Sequence, residues 1–344
     1  AQGYAPRNLE LAVRGDDEVR VNLERLQEKR FDFSQWLSGS SAAYILATGD
    51  GGIVSIGREG RVEAVSGGKL SWSFDCAAPV HAQPVADSDS LYIATADERI
   101  IALSLAGGGL LWMQHIEGAL SPGSRLCLAG PGIIAGTSKG MLYSFTKNGR
   151  LNWEIALPAA VSSAPEVSGR LVFVPGGDGT VYGIDLTLHL MVLKFQPGKM
   201  AGATVAVRDG RVYAATIHGD VVCYNYVRDE VEWRESVRGP VVVDPLIAGD
   251  GLFVATANGD VYRFTLKGGK VWRSSTGNRI ERSLLADPKG IHVLTDKAYY
   301  VLDPSEGWVR WSFVIPSQAA TGVAFTPGNV YFGTEGNGIM QLRR

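Results

Sequence analysis

From about residue 31 onward the chain alternates between short apolar runs and glycine-rich polar breaks, and the alternation repeats in phrases. One phrase is a β-branched and aromatic run ending in a small residue and Thr: Leu91-Tyr92-Ile93-Ala94-Thr95, Val212-Tyr213-Ala214-Ala215-Thr216 and Leu252-Phe253-Val254-Ala255-Thr256. A second run follows a tight break: Thr180-Val181-Tyr182-Gly183-Ile184, Asp220-Val221-Val222-Cys223-Tyr224 and Asp260-Val261-Tyr262-Arg263-Phe264. A shorter segment of small or apolar residues, often with Pro, precedes each pair: Ala78-Pro79-Val80, Ser163-Ala164-Pro165, Gly239-Pro240-Val241. Runs of this length and composition, bounded by Gly, Asn and Asp, predict strands.

The breaks between the paired runs read Asp50-Gly51-Gly52, Lys139-Gly140, Asp178-Gly179, His218-Gly219 and Asn258-Gly259. Two-residue hairpin loops need positive φ, which these residue types tolerate, so each pair predicts a β-hairpin. A further break, such as Gly107-Gly108-Gly109, Asn148-Gly149-Arg150 or Gly268-Gly269-Lys270, leads into a fourth run that carries a large aromatic residue.

Those aromatics recur at a nearly fixed interval. Trp72, Trp112, Trp153, Phe195, Trp233, Trp272 and Trp311 are separated by 40, 41, 42, 38, 39 and 39 residues. A period of this size marks a repeat architecture whose units bury their faces on one another. Four-stranded antiparallel units of about forty residues, set radially, make a β-propeller. The seven aromatics are then the blade-docking residues, each burying on the order of 150–250 Å² between adjacent blades.

The Thr that closes the second phrase counts the blades independently. Thr48, Thr95, Thr137, Thr216, Thr256, Thr295 and Thr334, with Pro175 standing in once, predict eight. The eighth unit lacks a fourth run, because the chain stops at Arg344. Phe33 lies 39 residues before Trp72, so the segment Phe31–Trp36 is expected to supply the missing outer strand and remove the open edge. Seven blades plus an extra hairpin is the alternative. The expected fold is therefore all-β, an eight-bladed propeller over residues 31–344 preceded by a leader at 1–30. The leader's charged stretch, Arg14 to Arg30, fits either a short amphipathic helix on Val19, Leu23 and Leu26 or a strand on Val19, Val21 and Leu23. It reads as a solvated leader laid over the ring or as a partner-binding arm.

Composition adds exclusions. Lys plus Arg number 33 against 35 Asp plus Glu, which makes no electrostatic case for nucleic acid or an anionic membrane. No apolar run approaches the about 18 residues of a membrane-spanning helix. The chain begins Ala1-Gln2 without Met, as a mature form stripped of a secretory signal would, or a trimmed chain. Cys76, Cys127 and Cys223 fall in different repeats, and their odd number excludes a fully paired intramolecular set.

Candidate chemistry is sparse. His81, His115, His189, His218 and His292 show no metal-ligand spacing, and no nucleophile elbow or phosphate loop appears. One segment departs from its own repeat. The strand lining the channel is small or apolar at Ala119-Leu120-Ser121, Ala160-Val161-Ser162-Ser163 and Ala319-Ala320-Thr321-Gly322, but in the seventh unit it reads Asn278-Arg279-Ile280-Glu281-Arg282-Ser283. Arg279, Glu281 and Arg282 are expected near the channel mouth beside Asp244 and Lys199. They form either a binding site for an anionic group or acidic peptide, or a mutually neutralising plug.

The phrase Val174-Pro175-Gly176-Gly177-Asp178-Gly179-Thr180-Val181-Tyr182-Gly183-Ile184-Asp185, nearly copied at Ala255–Tyr262, resembles the quinoprotein-type (PQQ-like repeat) propeller family. The Gly-His and Trp-Asp signatures of WD40 repeats are absent. Within that family, quinone-dependent dehydrogenases use pyrroloquinoline quinone and Ca²⁺, and many carry a disulfide between adjacent cysteines, which this chain lacks. Its size and single domain resemble the non-catalytic branch of BamB-like lipoproteins of the bacterial envelope. That resemblance implies no enzyme activity, no cofactor and no metal. It implies a periplasmic or otherwise extracytoplasmic scaffold, anchored through a removed N-terminal group and monomeric by itself. Its partners would be proteins in an envelope complex for outer-membrane β-barrel assembly, met through preformed rim surface and strand pairing at exposed edges. A ligand-binding or sensory propeller with its site at the channel mouth is the alternative, and a quinoprotein oxidoreductase the third.

Overall fold

The computed structural model describes residues 33–36, 42–49, 51–130, 132–198, 202–315, 318–326, 328–335 and 338–343. They form eight four-stranded antiparallel sheets, and no helix occurs among them. In chain order the blades begin, from the inner strand outward, at Ala42–Ala47, Val85–Ala86, Cys127–Ala129, Glu166–Ser168, Ala203–Arg208, Leu246–Ala248, Ile280–Asp287 and Ala319–Thr326. The outer strands of blades 1 to 7 are Lys69–Asp75, Leu110–His115, Leu151–Ala156, Leu190–Phe195, Glu230–Ser236, Lys270–Ser275 and Val309–Val314. In blade 8 the order ends with Phe33–Trp36 beside Gly338–Arg343, Phe33 opposite Leu342 and Trp36 opposite Met340. Phe31 and the leader lie outside the described residues.

The middle strands explain the apolar runs. Ser90–Ala94 and Val181–Asp185 are buried at every position, because a neighbouring blade covers each face. Outer strands alternate, as in Lys270–Ser275, where one side meets the next blade and the other meets solvent. The recurrent Thr is a turn device. Its hydroxyl accepts the N–H at the far side of the hairpin: Asp220 N to Thr216 at 3.1 Å, Ala298 N to Thr295 at 2.9 Å, Met141 N to Thr137 at 3.2 Å. In blade 4 the Thr position is held by Gly176 and not, as expected, by Pro175, since Gly176 N donates to Thr180 O as Thr256 N does to Asp260 O; the Asp178 carboxylate takes over there, accepting from Thr180 N at 3.0 Å and from the Tyr182 hydroxyl at 2.6 Å.

The core is eight separate clusters, one at each junction between consecutive blades. The last of these joins Ala324, Tyr331 and Ile339 of blade 8 to Ala42, Ile45 and Ile53 of blade 1, so the ring is closed by packing. The docking tryptophans sit at these junctions and are tied as well as packed. The indole N–H groups of Trp72, Trp112, Trp233 and Trp272 donate to the carbonyls of Leu105, Lys147, Leu266 and Pro304, each in the next blade, at 2.8, 2.7, 3.1 and 3.2 Å. Beneath each ring lies a glycine of that same turn. A Cβ on Gly108 would stand 2.4 Å from Cε3 of Trp72, and φ there is +69°, so the shape of the turn requires glycine on both counts.

Blade 4 departs from the pattern. Register places Leu193 opposite Gly183, the position that Trp153 holds opposite Ser144 and Trp233 holds opposite Cys223. Leu193 lies forty residues from each of those tryptophans, so the true interval is regular. Phe195 lies two residues further along the strand. It still docks the blade, stacked on Tyr224 of blade 5 with ring centroids 4.1 Å apart. Trp153 in turn has His189 where its sisters have glycine, with φ +56° and the two rings 5.4 Å apart.

Candidate functional site

The central channel is lined by inner strands, and its charged groups are those the topology throws together across it. Arg125, two residues before the inner strand of blade 3, hydrogen-bonds both Glu166 of blade 4 and Asp244, two residues before the inner strand of blade 6. Because blades 3 and 6 are not neighbours, the Arg125–Asp244 pair spans the channel. All three side chains are half-buried.

One guanidinium serves two carboxylates here. Burial works against the Arg125 charge, but Asp244 and Glu166 outweigh it and hold its pKa above the usual range. Glu166 is pushed above the ordinary carboxylate range, first by burial and then by the second carboxylate, Asp244, with Arg125 opposing both. Cys127, beside this cluster, is pushed up to about 12 by burial and by Glu166. A thiol held so firmly protonated is not a nucleophile.

Of the residues expected at the channel mouth, Asp244 is thus placed, with Arg125 as its partner. Arg279 precedes the inner strand of blade 7, where its carbonyl accepts from Asp296 N at 3.0 Å. Glu281 and Arg282 lie within Ile280–Asp287, at the irregularity between Ile280 and Leu284, and their side chains are outside the described part. Lys199 lies outside the described residues.

Arg125 and Glu166 were not singled out by sequence. The signal was faint: where Arg125 stands, blades 2, 4 and 5 carry Gln83, Ala164 and Thr204. A single arginine per ring, with its acceptors 41 and 119 residues away, has no local signature.

Another buried polar group lies in blade 7. His292 bridges Tyr299 and Asp287, with Nε2 2.7 Å from Asp287 Oδ1 and Nδ1 at the Tyr299 hydroxyl. The neutral ring satisfies both contacts, Tyr299 donating to Nδ1 and Nε2–H donating to the carboxylate. Burial, aided by Lys289, pushes its pKa down to about 4. Phe325 of blade 8 packs edge-on against the ring at 4.6 Å. The trio belongs to blade 7, with His292 and Tyr299 buried, and it meets blade 8 through Phe325. Among the described residues no group of three or more His, Cys, Asp or Glu is placed to hold a metal ion. No helix among them is long and apolar enough to cross a membrane.

A family model described as outer membrane protein assembly factor BamB matches residues 20–145, 102–189 and 193–327. The outer membrane protein assembly factor BamB of Nitrosomonas eutropha is 28% identical over 163 residues, 46% of this chain and 39% of that protein. A tetrathionate hydrolase of Acidithiobacillus ferrooxidans is 23% identical over 222 residues, 56% of this chain and 44% of that one. The chain therefore spans less than half the length of these two relatives. The crystal structure of BamB from Moraxella catarrhalis superposes with a TM-score of 0.74 at 18% identity, covering 90% of this chain and 96% of that one. At that identity the superposition speaks for the fold alone.

Proposed function

Since the chain belongs to the outer membrane protein assembly factor BamB family, we propose that it is a non-catalytic protein-interaction scaffold of the bacterial envelope, working in the assembly of outer-membrane β-barrel proteins. Its partners are proteins, and its place is extracytoplasmic. Its mechanism is presentation of preformed surface by a rigid ring, with no bond made or broken.

The observation that carries this reading is the family match running over most of the blades. The channel adds to it. Arg125, Glu166 and Asp244 tie blades 3, 4 and 6 together across the centre, and this reading assigns partner binding to the rim and its loops. A propeller held by eight packed junctions changes shape little on binding, which suits a docking platform.

The test is affinity capture of the full chain from the envelope of a bacterium that has an outer membrane, after mild cross-linking. Stable recovery of outer-membrane assembly proteins is the expected result. Recovery of no protein, together with a thermal shift on adding small anions, would favour a sensor with its site at the channel mouth. The likeness to a tetrathionate hydrolase makes turnover of tetrathionate, and a visible spectrum after incubation with quinone and Ca²⁺, the two controls. Both are expected to be blank.

A further inference from the structure

The two ends of the channel differ in chemistry. Arg125 and Asp244 stand where the inner strands enter, and an apolar collar stands where they leave. Leu128 lies opposite Ile133 in blade 3. The same register holds Val167, Val207, Ile247 and Phe325 in blades 4, 5, 6 and 8, and alanine in blades 1, 2 and 7. One residue nearer the tie, the register gives an uncharged residue in every blade but blade 4, whose Glu166 is held by Arg125.

Leu128 is 37% exposed, and the other seven collar residues are exposed or half-buried. Their partners on the second strands are all buried, so the open side of the collar is the channel side. Open apolar surface around a mouth that a charged tie closes at its inner end is a seat for an apolar group.

The course of the chain points to the occupant. Phe33, Leu342, Val330 and Phe325 form one cross-strand row. Phe33 therefore sits at the height of the collar, three strand spacings or about 14 Å from it. From there its strand runs toward Trp36, opposite Met340, so the chain enters blade 8 from the collar's side. Twenty residues separate Val13 from Phe33, a reach of about 30 Å even if every one were helical. The densest apolar stretch of the leader is Leu9-Glu10-Leu11-Ala12-Val13. A tethered segment meets its seat at an effective concentration of about millimolar order, ahead of a dilute free competitor.

We propose that Leu9–Val13 seats its apolar side chains in the collar and stoppers the channel from that side. The channel is then closed at both ends, by the Arg125 tie and by the leader, and a small apolar ligand must first displace the leader. This inference stands apart from the scaffold reading, and neither depends on the other.

The test uses the full chain. With Leu11 replaced by the photoreactive p-benzoylphenylalanine, illumination is expected to cross-link that position to the inner strands around Leu128, Val167, Val207, Ile247 or Phe325, mapped by mass spectrometry. A Leu9→Ser, Leu11→Ser, Val13→Ser variant should speed hydrogen exchange at the amides of residues 9–13. With the collar vacated, it should bind the neutral dye N-phenyl-1-naphthylamine about tenfold more tightly than the parent. Adding Leu128→Gln and Val167→Thr should remove that gain. Neither the cross-link nor the exchange result depends on this last variant folding. Cross-links confined to the outer strands overturn the proposal, as does equal dye binding by the parent and the triple variant. Cross-links joining two chains would make a second copy the occupant and overturn it as well.

Discussion

Trp72 of blade 1 and Gly108 of blade 2 form a clasp: the indole N–H donates to the Leu105 carbonyl at 2.8 Å while the ring lies over the Gly108 backbone. The indole and the glycine are two halves of one device, since the hydrogen bond holds the ring where only a hydrogen can fit beneath it. Gly108→Ala should therefore destabilise the protein by about 2–4 kcal/mol, combining left-handed backbone strain with overpacking. Gly109→Ala, whose Cβ would meet nothing within 4 Å, should change stability by less than about 1 kcal/mol. Denaturant midpoints of the two variants decide the matter, and equal midpoints would refute the clasp.

The Arg125 tie predicts a pH-dependent variant. Arg125→Met leaves Glu166 and Asp244 half-buried without their cation, and should cost about 2 kcal/mol at pH 8 after allowing for partial exposure. Without arginine, burial and repulsion from Asp244 hold the folded Glu166 pKa above its unfolded value. Groups raised in the folded state contribute their stability at low pH and lose it as pH rises. The deficit of the variant relative to the parent should thus shrink between pH 8 and pH 5, and adding Glu166→Gln and Asp244→Asn should remove most of it at every pH. Urea melts at both pH values are the measurement. A deficit that grows on acidification would contradict the assignment.

How much of this could be read beforehand follows from where the information sits. The Trp interval and the Thr-turn phrase are local and recur around the ring, so blade number and strand order were legible, although Thr48 closes the inner strand of blade 1, where Gly57 holds the turn position that Thr holds in six other blades. Phe195 was matched to the tryptophans because it is aromatic, whereas the pairing register sets Leu193 there opposite Gly183. Register depends on the bulge after Gly183, which leaves no mark in composition. Asp244 was named as a charge expected near the channel. Its partner was not, because Arg125 comes 119 residues earlier and only ring closure brings the two together.

The three thiols should be chemically silent. Cys76, Cys127 and Cys223 are buried, and burial pushes their pKa values up to about 11, 12 and 12. Ellman's reagent at pH 8 should titrate none of them in the native protein and all three in guanidinium, because the thiolate is the reacting form. Rapid reaction of one thiol under native conditions would mean that its junction opens.

His292 makes acid the weak flank of the junction between blades 7 and 8. Its folded pKa is pushed down to about 4, chiefly by burial, against about 6.5 in the unfolded chain. A base whose pKa is depressed by folding takes up its proton first in the unfolded state, so stability is lost as pH falls from about 6.5 toward 4, by roughly 3 kcal/mol in the limit. Other acids also titrate in this range, and the histidine's share is isolated by comparison with His292→Gln. Glutamine can accept from Tyr299 and donate to Asp287, but it cannot be protonated. The variant should lose less stability than the parent between pH 7 and pH 4. Imidazole resonances followed by NMR give the direct reading: the His292 ring should stay neutral down to about pH 5, and titration near 6.5 would mean that the ring is not sealed between the blades.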